Sequence, residues 1–128
     1  MAETPEDLIA ELEQKNIKHT PDEIIWIGRD AQGKVVWLEN GDQDRGAEHI
    51  LGKQKDFEGR KVSKSEILTL VVSAITDGRL IGRQGKSRSI FVVEFGGIEQ
   101  YISVEIASNG YIIGANPSNK KDILRSLK

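Results

Sequence analysis

The chain has 128 residues, of which 38% are hydrophobic and 30% are charged, and this length predicts one domain with a core of its own. It contains no cysteine, which excludes disulfides, thiol nucleophiles and cysteine-bound zinc. No apolar run approaches the roughly 20 residues of a membrane span, so we expect no such span, and no signal peptide is recognisable.

The net charge of −2 hides an uneven distribution along the chain. Residues 1–51 include 5 basic and 12 acidic side chains, whereas residues 52–128 include 13 basic and 8 acidic ones. The basic part suits a surface that meets an anion such as a phosphate backbone. The alternative is an ordinary solvated surface without an anionic partner.

The first half of the chain predicts a helix, a hairpin and a second helix. A threonine followed by proline and two acids is typical of a helix start, and we expect a helix over residues 4–16. Residues 24–27 and 34–39 read as strands joined by a turn. Residues 44–56 have helical apolar spacing, although Gly52 lies inside them.

The second half predicts one helix and a meander. Ser63 and Glu66 form a capping-box pattern, and the helix that follows should end at Gly78. Residues 79–88 read as a glycine-rich basic loop. Three strands are expected over residues 90–95, 98–106 and 111–116. The order predicts an α+β fold, with N-terminal helices packed on one face of a twisted antiparallel sheet.

His49 is the titratable residue that best suits catalysis. Only one other histidine is present, and His19 lies in a predicted loop where a solvated role is expected. In a helix, Arg45, His49 and Lys53 would share one face. The two cations would lower the imidazole pKa and favour the neutral form, which accepts a proton. The alternative is the polar outer face of an amphipathic helix.

Residues 79–88 contain four cations, two glycines and no acid. The cations are Arg79, Arg83, Lys86 and Arg88. Glycine allows backbone amides to approach an anion, and arginine matches the geometry of phosphate. A solvated basic loop is the alternative. The spacing is not that of a Walker motif, which disfavours nucleoside triphosphate binding.

Small polar residues bracket the last strand, as Ser108-Asn109-Gly110 before it and Asn116-Pro117-Ser118 after it. They suit contacts to phosphate or base edges, or plain turns. Neither metal-ligand spacing nor a serine-hydrolase elbow is present in the sequence. RNA cleavage through the substrate's own 2′-hydroxyl fits best, because it needs only a base, an acid and cations on the phosphate.

Three segments carry a resemblance to a known family. Residues 46–54, Gly-Ala-Glu-His-Ile-Leu-Gly-Lys-Gln, resemble the His-Ile-Leu-x-Lys/Arg-His helix of many bacterial polymorphic-toxin nuclease domains. Residues 88–91, Arg-Ser-Ile-Phe, and 109–117, Asn-Gly-Tyr-Ile-Ile-Gly-Ala-Asn-Pro, resemble the C-terminal part of the same domains. These nuclease domains belong to the barnase, EndoU, colicin and RelE-like superfamily of ribonucleases. The resemblance covers roughly residues 20–118.

The resemblance implies a barnase-like fold and metal-independent cleavage of RNA, with tRNA the expected substrate. It implies a contact-dependent inhibition toxin, secreted as part of a larger protein and active in the cytoplasm of a target bacterium. A cognate immunity protein is the implied partner. On this reading residues 20–128 are the ribonuclease-like toxin domain, and residues 1–19 are an acidic helical linker or N-terminal extension.

The resemblance also implies site residues: His49 as acid or base, Arg88 as phosphate clamp, and Asn116 or Ser118 completing the site near the strand end. From the residues themselves we add Lys53 to the expected catalytic residues His49, Arg88 and Asn116. The expected RNA-binding residues are Arg45, Gln54, Arg83, Lys86, Tyr111 and Ser118.

One residue departs from the family pattern. Gln54 stands where the motif has its second histidine, so it is able to bind RNA but not to exchange protons. Tyr101, Tyr111 or Lys53 would supply the second proton-transfer group, or the chain is an inactive variant. A non-catalytic binding module, such as an immunity protein or an RNA-binding domain, is the alternative function, and a phage-related accessory domain is a third.

Overall fold

A computed structural model describes residues 3–84 and 87–118, which form four α-helices and two antiparallel sheets. The helices are α1 (Pro5–Gln14), α2 (Ala47–Leu51), α3 (Gln54–Glu58) and α4 (Ile67–Asp77). Strands β1 (Ile24–Arg29) and β2 (Val35–Glu39) form a hairpin. The larger sheet contains β3 (Arg79–Gln84), β4 (Arg88–Phe95), β5 (Ile98–Ile106) and β6 (Ile112–Pro117), in that order.

Local sequence signals set several of these elements. Thr4 caps α1, and the side chain and amide of Thr4 exchange hydrogen bonds with Asp7. Ser63 and Glu66 form the expected capping box before α4, preceded by one turn of 3₁₀ helix. Gly78 then ends α4. The predicted hairpin, the start of α1 and the capping box before α4 are therefore confirmed.

The α+β class is confirmed, but the helices do not lie together on one face of one sheet. Helix α4 packs on β4 and β5, α1 packs on β1, and α2 contacts β6. The main core lies between α4 and the large sheet. Its fully buried members include Leu70, Val71 and Ala74 from α4, and Ile102 and Val104 from β5.

The predicted helix over residues 44–56 is wrong, because the chain breaks it into α2 and α3. Gly46 has a φ of +85°, which a helix does not continue through, and Arg45 bridges back to Asp42. Gly52 ends α2. Arg45 and Lys53 consequently flank α2 instead of sharing a helical face with His49.

The predicted loop over residues 79–88 is also wrong over its described part, since residues 79–84 form the edge strand β3. Arg79 pairs with Val92 and Gly82 pairs with Ile90 on β4. Glycine and arginine have little strand propensity of their own, so pairing with β4 decides the structure. The meander therefore has four strands instead of three.

Residues 3–19 pack against the hairpin. Leu8 and Leu12 on α1 are 6% and 1% exposed, and they form a second core cluster with Trp37. Arg29 on β1 binds Glu3 at 2.6 Å and Glu11 at 2.8 Å. The described residues before the hairpin therefore belong to a packed cluster with it.

Candidate active site

Part of one face of the large sheet carries polar side chains, at the end of β4 where Arg88 lies. Along β5, Ser103 and Glu105 alternate with Ile102 and Val104, which face the core. Residues that pair directly in antiparallel strands point to the same face of a sheet. The register pairs Glu105 with Arg88 and with Gly114, and it pairs Ser103 with Asn116. We call Arg88, Ser103, Glu105, Gly114 and Asn116 the polar face.

Arg88 is the cation of the polar face. Its Nη2 lies 3.8 Å from Glu105 Oε1, and its Nη1 lies 3.4 Å from Ser103 Oγ. With the amide oxygen of Asn116 toward Arg88, that oxygen accepts from Nη1 at 2.7 Å while the amide nitrogen donates to the Ala115 carbonyl. The guanidinium is thus held by groups on β5 and β6. The side chain is 31% exposed, so it remains accessible to an anion.

Glu105 is the carboxylate of the polar face. Ser87 Oγ donates to its Oε2 at 2.9 Å, and the side chain is 29% exposed. Sequence reasoning did not select Glu105, although the alternation of β5 placed it opposite the core residues. The signal that selects it is the strand register, which pairs it with Arg88.

His49 extends from α2 over the same face. A Cβ added to Gly114 would lie 3.1 Å from His49 Cδ2 and 3.4 Å from Nε2, so the imidazole fills the space above this glycine. Gly114 pairs with Glu105, which pairs with Arg88. Directly paired Cα atoms are about 5 Å apart, so the three positions span roughly 10 Å across the sheet. His49 and Arg88 therefore lie on one face, and Glu105 on β5 lies between Arg88 on β4 and Gly114 on β6.

The hydrogen bond of Nδ1 sets the orientation of the His49 imidazole. Nδ1 of His49 lies 2.7 Å from the carbonyl oxygen of Gln43. A carbonyl oxygen only accepts hydrogen bonds, so Nδ1 carries the hydrogen and Nε2 is directed to the polar face. The side chain is half-buried, which leaves that edge within reach of a ligand.

Two tyrosines considered as proton-transfer groups are poorly suited to accept a proton. Tyr101 donates to Glu99 Oε1 at 2.6 Å, and this hydrogen bond raises the pKa of the phenol. Burial raises the pKa of Tyr111, and the negative charge of Glu39 adds to the effect. Both phenols are therefore protonated at neutral pH. Glu105 is the better partner for His49.

The remaining expected residues are dispersed. The amide nitrogen of Gln54 donates to Glu58 at 2.7 Å, and Lys53 is half-buried just before α3. Arg83 pairs with Ser89, so it lies on the opposite face of the sheet from Arg88. Lys86 lies outside the described residues.

Ser118 is 2% exposed, which leaves it little surface for RNA, and its carbonyl accepts a hydrogen bond from Arg60 at 2.7 Å. Arg45 and Tyr111 line a cavity of about 450 Å³ instead of the polar face. The structure therefore brings together His49, Arg88 and Asn116 among the expected residues, and it adds Glu105.

Within residues 3–84 and 87–118, no group of three or more histidine, aspartate or glutamate side chains is arranged to hold a metal ion. The helices in these same ranges are all too short or too polar to cross a membrane. No protein-family model matches the chain, and no curated protein is significantly similar to it.

Proposed function

We propose that this protein is a metal-independent endoribonuclease toxin that cleaves RNA, with tRNA as the expected substrate, on its polar face. The observation that supports the proposal is the position of His49 Nε2 above Gly114, on the same face as Arg88 and Glu105. An imidazole, a carboxylate and a guanidinium are the groups that 2′-hydroxyl chemistry needs.

In the proposed reaction, Glu105 takes the proton from the 2′-hydroxyl and the 2′-oxygen attacks the adjacent phosphorus. The bond between phosphorus and the 5′-oxygen breaks. His49 enters the step as the imidazolium, with hydrogens on both nitrogens, and donates the Nε2 proton to that leaving oxygen. The products are a 2′,3′-cyclic phosphate and a free 5′-hydroxyl. Arg88 binds the phosphate oxygens and stabilises the charge that develops on them. Asn116 is a positioning residue, because it holds the guanidinium.

The chemistry is tested by incubating total RNA and purified tRNA with the protein and two variants, in the presence of a chelator. His49→Ala and Glu105→Gln should each lower cleavage by about 10²- to 10⁴-fold, the usual contribution of general acid–base catalysis. Glu94→Gln is the matched control, because Glu94 is an exposed carboxylate near the other end of β4. Equal cleavage by all four proteins, or cleavage that needs a divalent ion, would contradict the proposal.

We also propose that the protein acts in the cytoplasm of a target bacterium, arrives as part of a larger secreted protein, and is neutralised by a cognate immunity protein. Expression of the domain alone in a bacterial cytosol should arrest growth, and His49→Ala should relieve the arrest. A harmless wild-type domain with no nuclease activity would favour the alternative, a non-catalytic binding module.

A further inference from the structure

The cavity of about 450 Å³ lies next to the polar face. The carbonyl of Gln43 holds the His49 ring, and the two residues that follow Gln43 line the cavity. On β6, Ile113 lines the cavity, and the next residue is Gly114, above which the imidazole lies. A ligand that extends from the scissile phosphate past His49 would therefore enter this space.

An aromatic ring forms part of the wall. Tyr111 contacts the buried Trp37 edge to face, with ring centroids 5.9 Å apart and planes at 89°. Its hydroxyl lies 3.1 Å from where a Cβ on Gly46 would stand, so only glycine fits there without displacement. The ring is therefore fixed in orientation and only partly buried. Fixed aromatic rings of this kind are the usual platforms on which nucleobases stack.

One acceptor atom of the cavity wall has no partner among the described residues. Glu39 is 7% exposed, and its Oε2 accepts from Trp37 Nε1 at 2.9 Å and from the Thr20 amide at 3.0 Å. Within the described residues its Oε1 accepts no hydrogen bond. His19 Nδ1 faces the Ile17 carbonyl at 2.7 Å, and its Nε2 is buried without a partner in the same part of the chain. The His19 nitrogen has no exposed surface, so the acceptor that a ligand can reach is Glu39 Oε1, which favours a ligand that brings N–H groups.

Charge adds a second requirement. Lys18 and Arg45 also line the cavity, together with Asp44, so a phosphate near the donor groups of a ligand finds two cations there. Nucleobases differ in the hydrogen-bonding groups that they offer to the Glu39 carboxylate. Guanine, adenine and cytosine carry an amino group with two hydrogens, whereas uracil has a single ring N–H between two carbonyls. A carboxylate repels those carbonyl oxygens, because both groups only accept.

We propose that this cavity binds a nucleobase that flanks the scissile phosphate, with Tyr111 stacking on the base and Glu39 selecting amino-bearing bases over uracil. The proposal deepens the proposed ribonuclease function and rests on it for the identity of the ligand. Glu39 is then a specificity-determining residue and takes no part in bond cleavage.

The test measures binding without turnover. Nucleoside 3′-monophosphates of guanosine, adenosine, cytidine and uridine are titrated into the full chain carrying His49→Ala, and tryptophan fluorescence reports occupancy beside Trp37. Uridine monophosphate should bind at least 10-fold more weakly than the amino-bearing nucleotides. Glu39→Gln in the same background should reduce that preference to about 3-fold or less, and Tyr111→Leu should weaken all four nucleotides by about 10-fold or more.

Two controls keep the result decisive. Glu94→Gln removes a carboxylate outside the cavity and should leave the preference intact. Tyr111→Phe keeps the ring and should bind within a few-fold of the parent. If Glu39→Gln lowers the melting temperature sharply, the comparison of Tyr111→Leu with Tyr111→Phe still decides whether the cavity binds a base.

The outcomes separate this inference from the proposed function. Selective nucleotide binding without RNA cleavage would support the proposed nucleobase site and overturn the proposed ribonuclease function. Cleavage that depends on His49 but shows no base preference, and no effect of Glu39→Gln on it, would overturn the inference and retain the nuclease. Equal affinity for all four nucleotides would overturn the role of Glu39.

Discussion

The imidazole of His49 lies directly over Gly114, with Nε2 3.4 Å from the position that a Cβ would occupy. Any other residue at position 114 would place a side chain against the ring. A glycine on a strand interior weakens the strand, so its presence is typical of a close approach by another group. This contact fixes the height of the imidazole above Gly114, whose direct partner on β5 is Glu105.

Gly114→Ala should lower RNA cleavage by about 10-fold while the fold is retained, because the added methyl group displaces the ring by a few tenths of an ångström. The comparison uses initial cleavage rates and melting temperatures. In a His49→Ala background the same change should have no further effect on cleavage, since the displaced ring is already absent. An additive loss in the double variant would mean that Gly114 acts independently of His49.

Arg88→Lys should lower cleavage by about 10²-fold or more, because lysine lacks the planar fork that grips a phosphate. Asn116→Ala should cost about 10-fold, since it removes an acceptor that orients the guanidinium but leaves the charge. Single-turnover rates on a short RNA measure both effects. Arg83→Lys, on the opposite face of the sheet, is the matched control. If that change costs as much as Arg88→Lys, the polar face is not the phosphate site.

Leu12→Ala should lower the free energy of unfolding by about 2–5 kcal/mol, because Leu12 is 1% exposed in the second core cluster. Urea denaturation provides the measurement. Ile9→Ala is the control and should cost less, since Ile9 is only partly buried against that cluster. A loss below 1 kcal/mol for Leu12→Ala would indicate that α1 is a detachable extension of the domain.

The ion cluster of α1 and β1 should make stability fall in acid. Hydrogen bonds from Arg29 hold the pKa values of Glu3 and Glu11 below the ordinary value of 4.5. A carboxylate with a lowered folded-state pKa stabilises the fold above its unfolded pKa, and the contribution disappears as the pH falls through the folded value. The contribution of Glu3 and Glu11 to the free energy of unfolding should therefore be constant above about pH 4.5 and decline below it.

Arg29→Met should flatten that acid decline, which is measured by urea unfolding at a series of pH values between 6 and about 2.5. Lys55→Met, an exposed cation of α3, is the control and should leave the pH profile unchanged. An unaltered profile in Arg29→Met would show that the two carboxylates are not linked to folding through this arginine.

Local sequence patterns were sufficient to predict the elements that short-range interactions determine. The caps at Thr4 and Ser63 are hydrogen bonds between residues three apart in the chain. The buried apolar residues of α4 recur every three or four residues, within single turns of the helix. The same reasoning selected His49 and Arg88 as candidates, because rare histidines and clustered arginines are visible in the chain itself.

Tertiary structure alone decided which polar groups meet. Glu105 joins the candidate site because β5 pairs it with Arg88 and Gly114, and a shift by one residue would have turned it to the core. Residues 79–84 form a strand only because β4 lies beside them. Residues 44–56 do not form one continuous helix, because Gly46 lies in a turn whose amide donates to the Ile113 carbonyl of β6. Strand register and the contact of His49 with Gly114 depend on residues far apart in the chain. The sequence therefore shows which chemical groups are present but not which of them become neighbours.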